Sequence, residues 1–131
     1  MGFEEIDHSS DGAVLVKAKT LEDLFFQAGL AMYAVMDAQI LAESCQRELK
    51  LEATDVESLL VSFLSELLTI AELENLAMCS SQLEISQTSL RGMLSFAPLR
   101  SWKGNIKAVT FSEMQIRYSG DGYETVIVFD L

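Results

Sequence analysis

The chain has 131 residues, and half of them are hydrophobic, which is enough material for the buried core of one domain spanning residues 1–131. Twenty acidic and nine basic residues give a formal net charge of −11. This charge argues against a protein that binds nucleic acid strongly on its own, since such proteins carry a basic stripe. It favours a cationic protein partner or a divalent metal ion. The apolar region from Val56 to Leu76 is interrupted by four glutamates, which argues against a membrane span.

The two cysteines, Cys45 and Cys79, lack the CxxC spacing and the accompanying histidines of a zinc site. No signal peptide is recognisable, so we expect both to be buried, reduced thiols of a cytoplasmic protein. The sequence therefore predicts neither zinc nor a disulfide.

In chain order, the first predicted elements are a strand and an amphipathic helix. Phe3–Ile6 is a short apolar segment, Asp7–Gly12 is dense in turn-forming residues, and Ala13–Lys19 is typical of a strand. Thr20 is the predicted helix N-cap, with Asp23 in the acidic position of a capping box. Apolar residues then recur at helical spacing for about 16 residues, namely Leu21, Leu24, Phe25, Ala28, Ala31, Met32, Val35 and Met36.

The middle of the chain predicts a strand and a second, more hydrophobic helix. Over Gln46–Ala53 apolar residues alternate with charged ones, as in a strand with one solvated face. Thr54 is the predicted cap of the next helix, and acidic residues in the first turn suit the helix dipole. The apolar face of this helix is broad and consists of Leu59, Leu60, Phe63, Leu64, Leu67, Leu68 and Ala71.

Two further strands and a loop are predicted before the C-terminal region. Met78–Gln87 and Leu90–Phe96 have strand character, and Pro98–Gly104 is a polar, basic segment that contains the lone tryptophan, Trp102. Trp102 could stack on a base or anchor a partner, or it could cover the edge of the core; the sequence leaves this open.

The C-terminal region predicts a β-hairpin. Asn105–Tyr118 and Tyr123–Leu131 are rich in β-branched and aromatic residues, and the turn Ser119–Gly122 separates them. Together with the preceding elements, this hairpin indicates an α+β fold in which two helices pack on one face of a mostly antiparallel sheet.

The hairpin ends on two neighbouring anionic groups, the Asp130 side chain and the α-carboxylate of Leu131. Two such groups at the end of a hydrophobic strand suggest that a positive group meets them. Taken without any resemblance, however, a penultimate Asp130 is more typical of a solvated strand end, because termini are usually mobile.

Five stretches, taken in order, resemble the archease family. The first resembles the family's pattern of acidic residue, His, Thr, Ala and Asp; the last two resemble its Lys-Ala-hydrophobic-Thr-aromatic run and its ending on Asp and an aliphatic residue. They are Ile6–Asp11, Thr20–Phe25 followed by Ala31–Met32, Asp55–Leu68, Ile106–Phe111 and Val128–Leu131. The chain departs from the pattern at Ser9 and Ser10, and in the segment Leu99–Asn105, which lacks the family's usual His.

The resemblance implies a non-enzymatic activator of an RNA-splicing ligase of the RtcB type, which promotes guanylylation of the ligase and multiple turnover in tRNA splicing. It also implies a divalent ion, with calcium as first choice and magnesium or manganese as alternatives. The implied metal ligands are Asp11, Asp130 and the carboxylate of Leu131. Lys107 is implied to serve partner activation, and His8 is a candidate for the same role.

Each of these residues has a structural alternative. Asp11 could be an Asx-turn residue, His8 could fix its loop by hydrogen bonds, and Lys107 could be a solvated strand residue. If Asp11, Asp130 and Leu131 do converge, their oxygen atoms suit a hard cation that relieves the repulsion between them.

Two other functions remain open. One is a general protein-interaction or chaperone-like module with no specific ligase partner. The other, an enzyme with an acidic metal site, is weakest, since no Ser-His-Asp set or glycine-rich phosphate loop is apparent.

Overall fold

A computed structural model describes residues 2–6, 12–42, 45–103, 106–110 and 114–131. The α+β class with two helices is confirmed, and the strand pairs among these residues are antiparallel. The elements are β1 (Gly2–Ile6), β2 (Gly12–Ala18), α1 (Leu21–Val35), β3 (Gln39–Ile40), β4 (Cys45–Glu52), α2 (Val56–Glu74), β5 (Leu76–Ser86), β6 (Ser89–Ser101), β7 (Ala108–Thr110), β8 (Arg117–Ser119) and β9 (Gly122–Asp130).

The described strands are divided between two sheets, a partition that the sequence did not indicate. In the first sheet the order is β1-β2-β9-β7, and β8 also pairs with β9. In the second sheet β6 is central and pairs with β3, β4 and β5. Both helices contact each other and strands of both sheets. Their apolar faces meet at Phe25 and Phe63, whose ring centroids are 5.6 Å apart.

The helix caps follow the sequence closely, with one correction. Thr20 caps α1 as predicted, because its Oγ1 accepts a hydrogen bond from the Asp23 N–H at 3.1 Å. The predicted cap of α2 was wrong by one residue: Asp55, not Thr54, accepts from the Ser58 N–H at 2.7 Å. This bond to the carboxylate also lowers the pKa of Asp55.

The predicted loop at Pro98–Gly104 was wrong in its first half, because β6 continues to Ser101. Pro98 lacks an N–H, but its carbonyl accepts from the Leu41 N–H at 2.9 Å. The next residue, Leu99, donates to the Asn75 carbonyl at 2.8 Å. The strand is therefore paired on both sides despite the proline. Gly104 lies outside the described residues.

The C-terminal hairpin is confirmed at its turn, where Ser119 pairs with Gly122. The run predicted as one strand up to Tyr118 is interrupted: β7 pairs with the end of β9 and β8 with its beginning. Between them, the Ile116 N–H donates to Glu57 Oε2 of α2 at 3.0 Å instead of pairing in the sheet. Asn105 and residues 111–113 of the predicted strand lie outside the described residues.

None of the helices in the described part of the chain is both long enough and apolar enough to cross a membrane.

Candidate metal and partner site

Two of the predicted site residues, Lys107 and Asp130, meet where β7 and β9 pair. Asp130 is the last residue of β9 and lies opposite Ala108. The Lys107 N–H donates to the Asp130 carbonyl at 2.6 Å. Both side chains are exposed, and neither forms an ion pair with another described residue. The main chain thus fixes an ammonium and a carboxylate at the same end of the first sheet, and leaves both side chains accessible.

Leu131, the third of these residues, lies beside the start of β2. Gly12 pairs with Phe129 across β2 and β9. A methyl group added at Gly12 would lie 3.4 Å from Cδ1 of Leu131 and 3.3 Å from Cγ1 of Val35, the last residue of α1. The leucine side chain therefore lies over Gly12 and near the end of α1.

Two predicted site residues, His8 and Asp11, lie outside the described residues. Within the segments that the structure describes, no group of three or more His, Cys, Asp or Glu residues could hold a metal ion. The metal-ligand role of Asp11, Asp130 and Leu131 consequently stays a prediction. Asp130 and the main-chain oxygens of Leu131 offer the donor type that a hard cation takes.

The basic segment that contains Trp102 is bonded to the residues that follow α1. The Lys103 N–H donates to the Met36 carbonyl at 2.8 Å, and Lys103 Nζ lies 3.3 Å from Asp37 Oδ2. Trp102 is half-buried and packs against the core. Of the two interpretations of Trp102, this packing favours the one in which it covers the core edge.

The two cysteines are half-buried, which corrects the expectation that they are buried. Cys45 pairs opposite Phe96 on one side of β6. Cys79 lies at an irregularity of β5 on the other side, where its Sγ contacts the Ser95 carbonyl at 3.3 Å. The intervening strand keeps the two thiols from forming a disulfide in this fold.

The sequence did not indicate Gly12 and Val35 as neighbours of the site. They are far apart in the chain from Leu131, and their residue types carry no chemical signal. A surface groove of about 670 Å³ between β4, β5 and β6, lined in part by Lys50, Glu84 and Arg91, contains none of the predicted site residues.

The chain matches the sequence model of the Archease protein family over residues 3–131. It is 28% identical to the archease of Methanosarcina mazei, covering 98% of this chain and 95% of that protein. It is 30% identical to the archease of Pyrococcus furiosus, covering 92% and 91%, and 29% identical to an archease-like protein of Drosophila melanogaster, covering 100% and 91%.

Solved structures agree with this assignment. The solution structure of protein 1598 of Methanobacterium thermoautotrophicum superposes with a TM-score of 0.76 at 26% identity, covering 99% of both chains. The crystal structure of a Thermotoga maritima archease, described as a possible chaperone, has the same fold, with a TM-score of 0.73 at 19% identity, covering 98% of this chain and 96% of that one. With a family match over nearly the whole length and a relative 30% identical over nine-tenths of both chains, this chain belongs to the archease family.

Proposed function

We propose that this protein is a non-enzymatic activator of an RNA-splicing ligase of the RtcB type, acting in tRNA splicing and RNA repair in the cytoplasm. It would promote guanylylation of the ligase and allow multiple turnover. The observation that supports this role most directly is the match to the archease family model over residues 3–131. Within the structure, the proposed site centres on the pairing at the end of β9. There the Lys107 N–H bonds to the Asp130 carbonyl at 2.6 Å, and both side chains are exposed.

A divalent ion at this end would be held by Asp11, Asp130 and the main-chain carboxyl oxygens of Leu131. Asp11 precedes Gly12 directly in the chain, and Gly12 pairs with Phe129, one residue before Asp130. Carboxylate oxygens suit hard divalent cations; the family resemblance makes calcium the first choice, with magnesium or manganese as alternatives. The ion would neutralise these carboxylates and leave coordination positions open to a phosphate or carboxylate of the ligase complex.

Lys107 would supply a compact positive charge beside this ion. An ammonium group pairs with phosphate or carboxylate as a point charge and is not tied to one bidentate geometry. His8 would assist in the same region of the partner surface. The net charge of −11 fits a division of labour in which the ligase, not this protein, binds the RNA backbone.

The test is a ligation assay with the matching ligase under multiple-turnover conditions. We expect Asp130→Asn and Lys107→Ala each to reduce stimulation at least about tenfold, the range seen when an oriented charge contact is lost. Glu72→Gln and Lys19→Ala are matched controls, since both residues are exposed and neither belongs to the proposed site. Stimulation equal to wild type by both site variants would contradict the assignment of the site.

A general chaperone-like module is the second candidate. It is favoured by the acidic charge and by the description of the Thermotoga maritima relative as a possible chaperone. Such a module would act on several proteins without calcium. Stimulation that requires both a divalent ion and the ligase would exclude it.

A further inference from the structure

The end of β9 is held at two points, one on its main chain and one on its last side chain. On the main chain, the Lys107 N–H bonds to the Asp130 carbonyl. One residue further, Leu131 is 40% exposed, so part of its surface is still covered by protein. Chain termini are usually poorly ordered unless such contacts hold them, so these two contacts restrain the end of β9.

The Leu131 side chain lies next to Gly12 and near Val35. We call these two residues the Leu131 seat. The position that a Cβ would occupy at Gly12 lies 3.4 and 3.7 Å from the two Cδ atoms of Leu131, and 3.3 Å from Cγ1 of Val35. The side chains of Leu131 and Val35 therefore both lie close to the main chain at Gly12. A helix end and a strand start contribute one wall each.

The side chains of Asp130 and Leu131 point to opposite faces of the sheet. Successive side chains of a strand point to opposite faces. The Leu131 side chain follows Phe129 and Ile127, both fully buried, whereas Asp130 alternates to the opposite face and is itself exposed. Seating of Leu131 therefore restrains the main chain on one face and holds the Asp130 carboxylate on the other.

We infer that Leu131 is a positioning residue, whose seated side chain orients the Asp130 carboxylate and the main-chain oxygens of Leu131 toward a divalent cation. This inference rests on the proposed function, because the cation belongs to that proposal. Loss of a group that orients metal ligands typically weakens metal affinity by about 10- to 100-fold, and here that group is the Leu131 side chain. Val35, the last residue of α1, contributes the second side chain at the seat.

The experiment separates the seat from the ligands, because Leu131→Ala removes the side chain and keeps every proposed ligand oxygen. We expect calcium titration by calorimetry to give at least about tenfold weaker binding for Leu131→Ala and for Val35→Ala. Leu131→Ile, which refills the seat, should restore affinity to near the wild-type value. Leu73→Ala is the matched control, since Leu73 is 81% exposed at the end of α2.

A second readout excludes simple loss of the fold. Thermal unfolding without calcium should differ little between Leu131→Ala and the wild type, while amide exchange at residues 129–131 should accelerate. Val126→Ala, on the same strand but away from the seat, should keep the calcium affinity. If Leu131→Ala binds calcium as tightly as wild type, the positioning role is overturned and the proposed site stands. If wild type binds no divalent ion, the metal site and the positioning role fall together.

Discussion

Tyr33 is a single residue on which a buried connection between α1 and β5 depends. Its hydroxyl accepts a hydrogen bond from the Met78 N–H at 2.9 Å in a buried setting. Tyr33→Phe would leave that amide without an acceptor, and we expect a loss of about 1–3 kcal/mol in the free energy of unfolding. Urea denaturation measures this loss. Tyr118→Phe is the control, since Tyr118 is 67% exposed; equal losses for both variants would contradict the role of the bond.

The same residue predicts the behaviour of the protein at alkaline pH. Burial raises the pKa of Tyr33 far above its ordinary value of 10.0. Above pH 10 the unfolded chain loses this proton while the folded chain keeps it, so folding stability should fall as pH rises. The decline in melting temperature between about pH 9.5 and 11 should be shallower for Tyr33→Phe than for the wild type. Parallel pH profiles would show that Tyr33 does not contribute to it.

Glu74, the last residue of α2, should make folding stability fall as the pH falls into the acid range. Arg47 donates to both of its carboxylate oxygens, and these bonds lower the pKa of Glu74. The stabilisation is therefore present above the unfolded-state pKa of 4.5 and lost as pH falls through the folded-state pKa. Glu74→Gln should flatten the acid limb of the melting-temperature profile. Glu72→Gln, two residues earlier on the same helix and exposed, should leave it unchanged.

At the scale of elements, acidic residues near the helix starts do more than suit the helix dipole, because they also accept hydrogen bonds from main-chain amides of distant segments. Glu57 of α2 accepts from the Ile116 N–H, and Glu22 of α1 accepts from the Ile85 N–H at 3.1 Å. The sequence indicates the first role, because any acid in the first turn suits the dipole. It cannot indicate the second, because the partner amides are about 60 residues away in the chain.

The hydrogen bond that Glu57 accepts from the Ile116 N–H accounts for the departure of the segment before β8 from the sheet. We expect Glu57→Ala to increase amide exchange at Ile116, because its N–H would lose the acceptor. The fold should be retained, with exchange in β9 unchanged. Hydrogen exchange followed by nuclear magnetic resonance measures both regions. Unchanged exchange at Ile116 would contradict this account of the interruption.

At the scale of the whole molecule, what could be predicted from the sequence was what local periodicity encodes. The repeat of apolar residues located both helices, and the Gly-Asp-Gly turn located the β8–β9 hairpin. The division into two sheets and the two-residue strand β3 depend on contacts between distant segments. The same holds at the site: the two neighbouring anionic groups at the chain end drew attention to Asp130, and the family resemblance to Lys107, whereas the seat of Leu131 arises only when β2, β9 and α1 come together.

The charge of the whole molecule yields a last prediction about how it meets its partner. A net charge of −11 creates a long-range field that attracts a basic protein surface and repels RNA. If the proposed ligase presents such a surface, the association rate should fall at least about tenfold as ionic strength rises from roughly 0.05 to 0.5 M, because salt screens the field. The dissociation rate should change far less, since short-range contacts control it.

Stopped-flow or surface-binding kinetics separate the two rates. An association rate independent of salt would show that the acidic surface maintains solubility and does not guide the encounter.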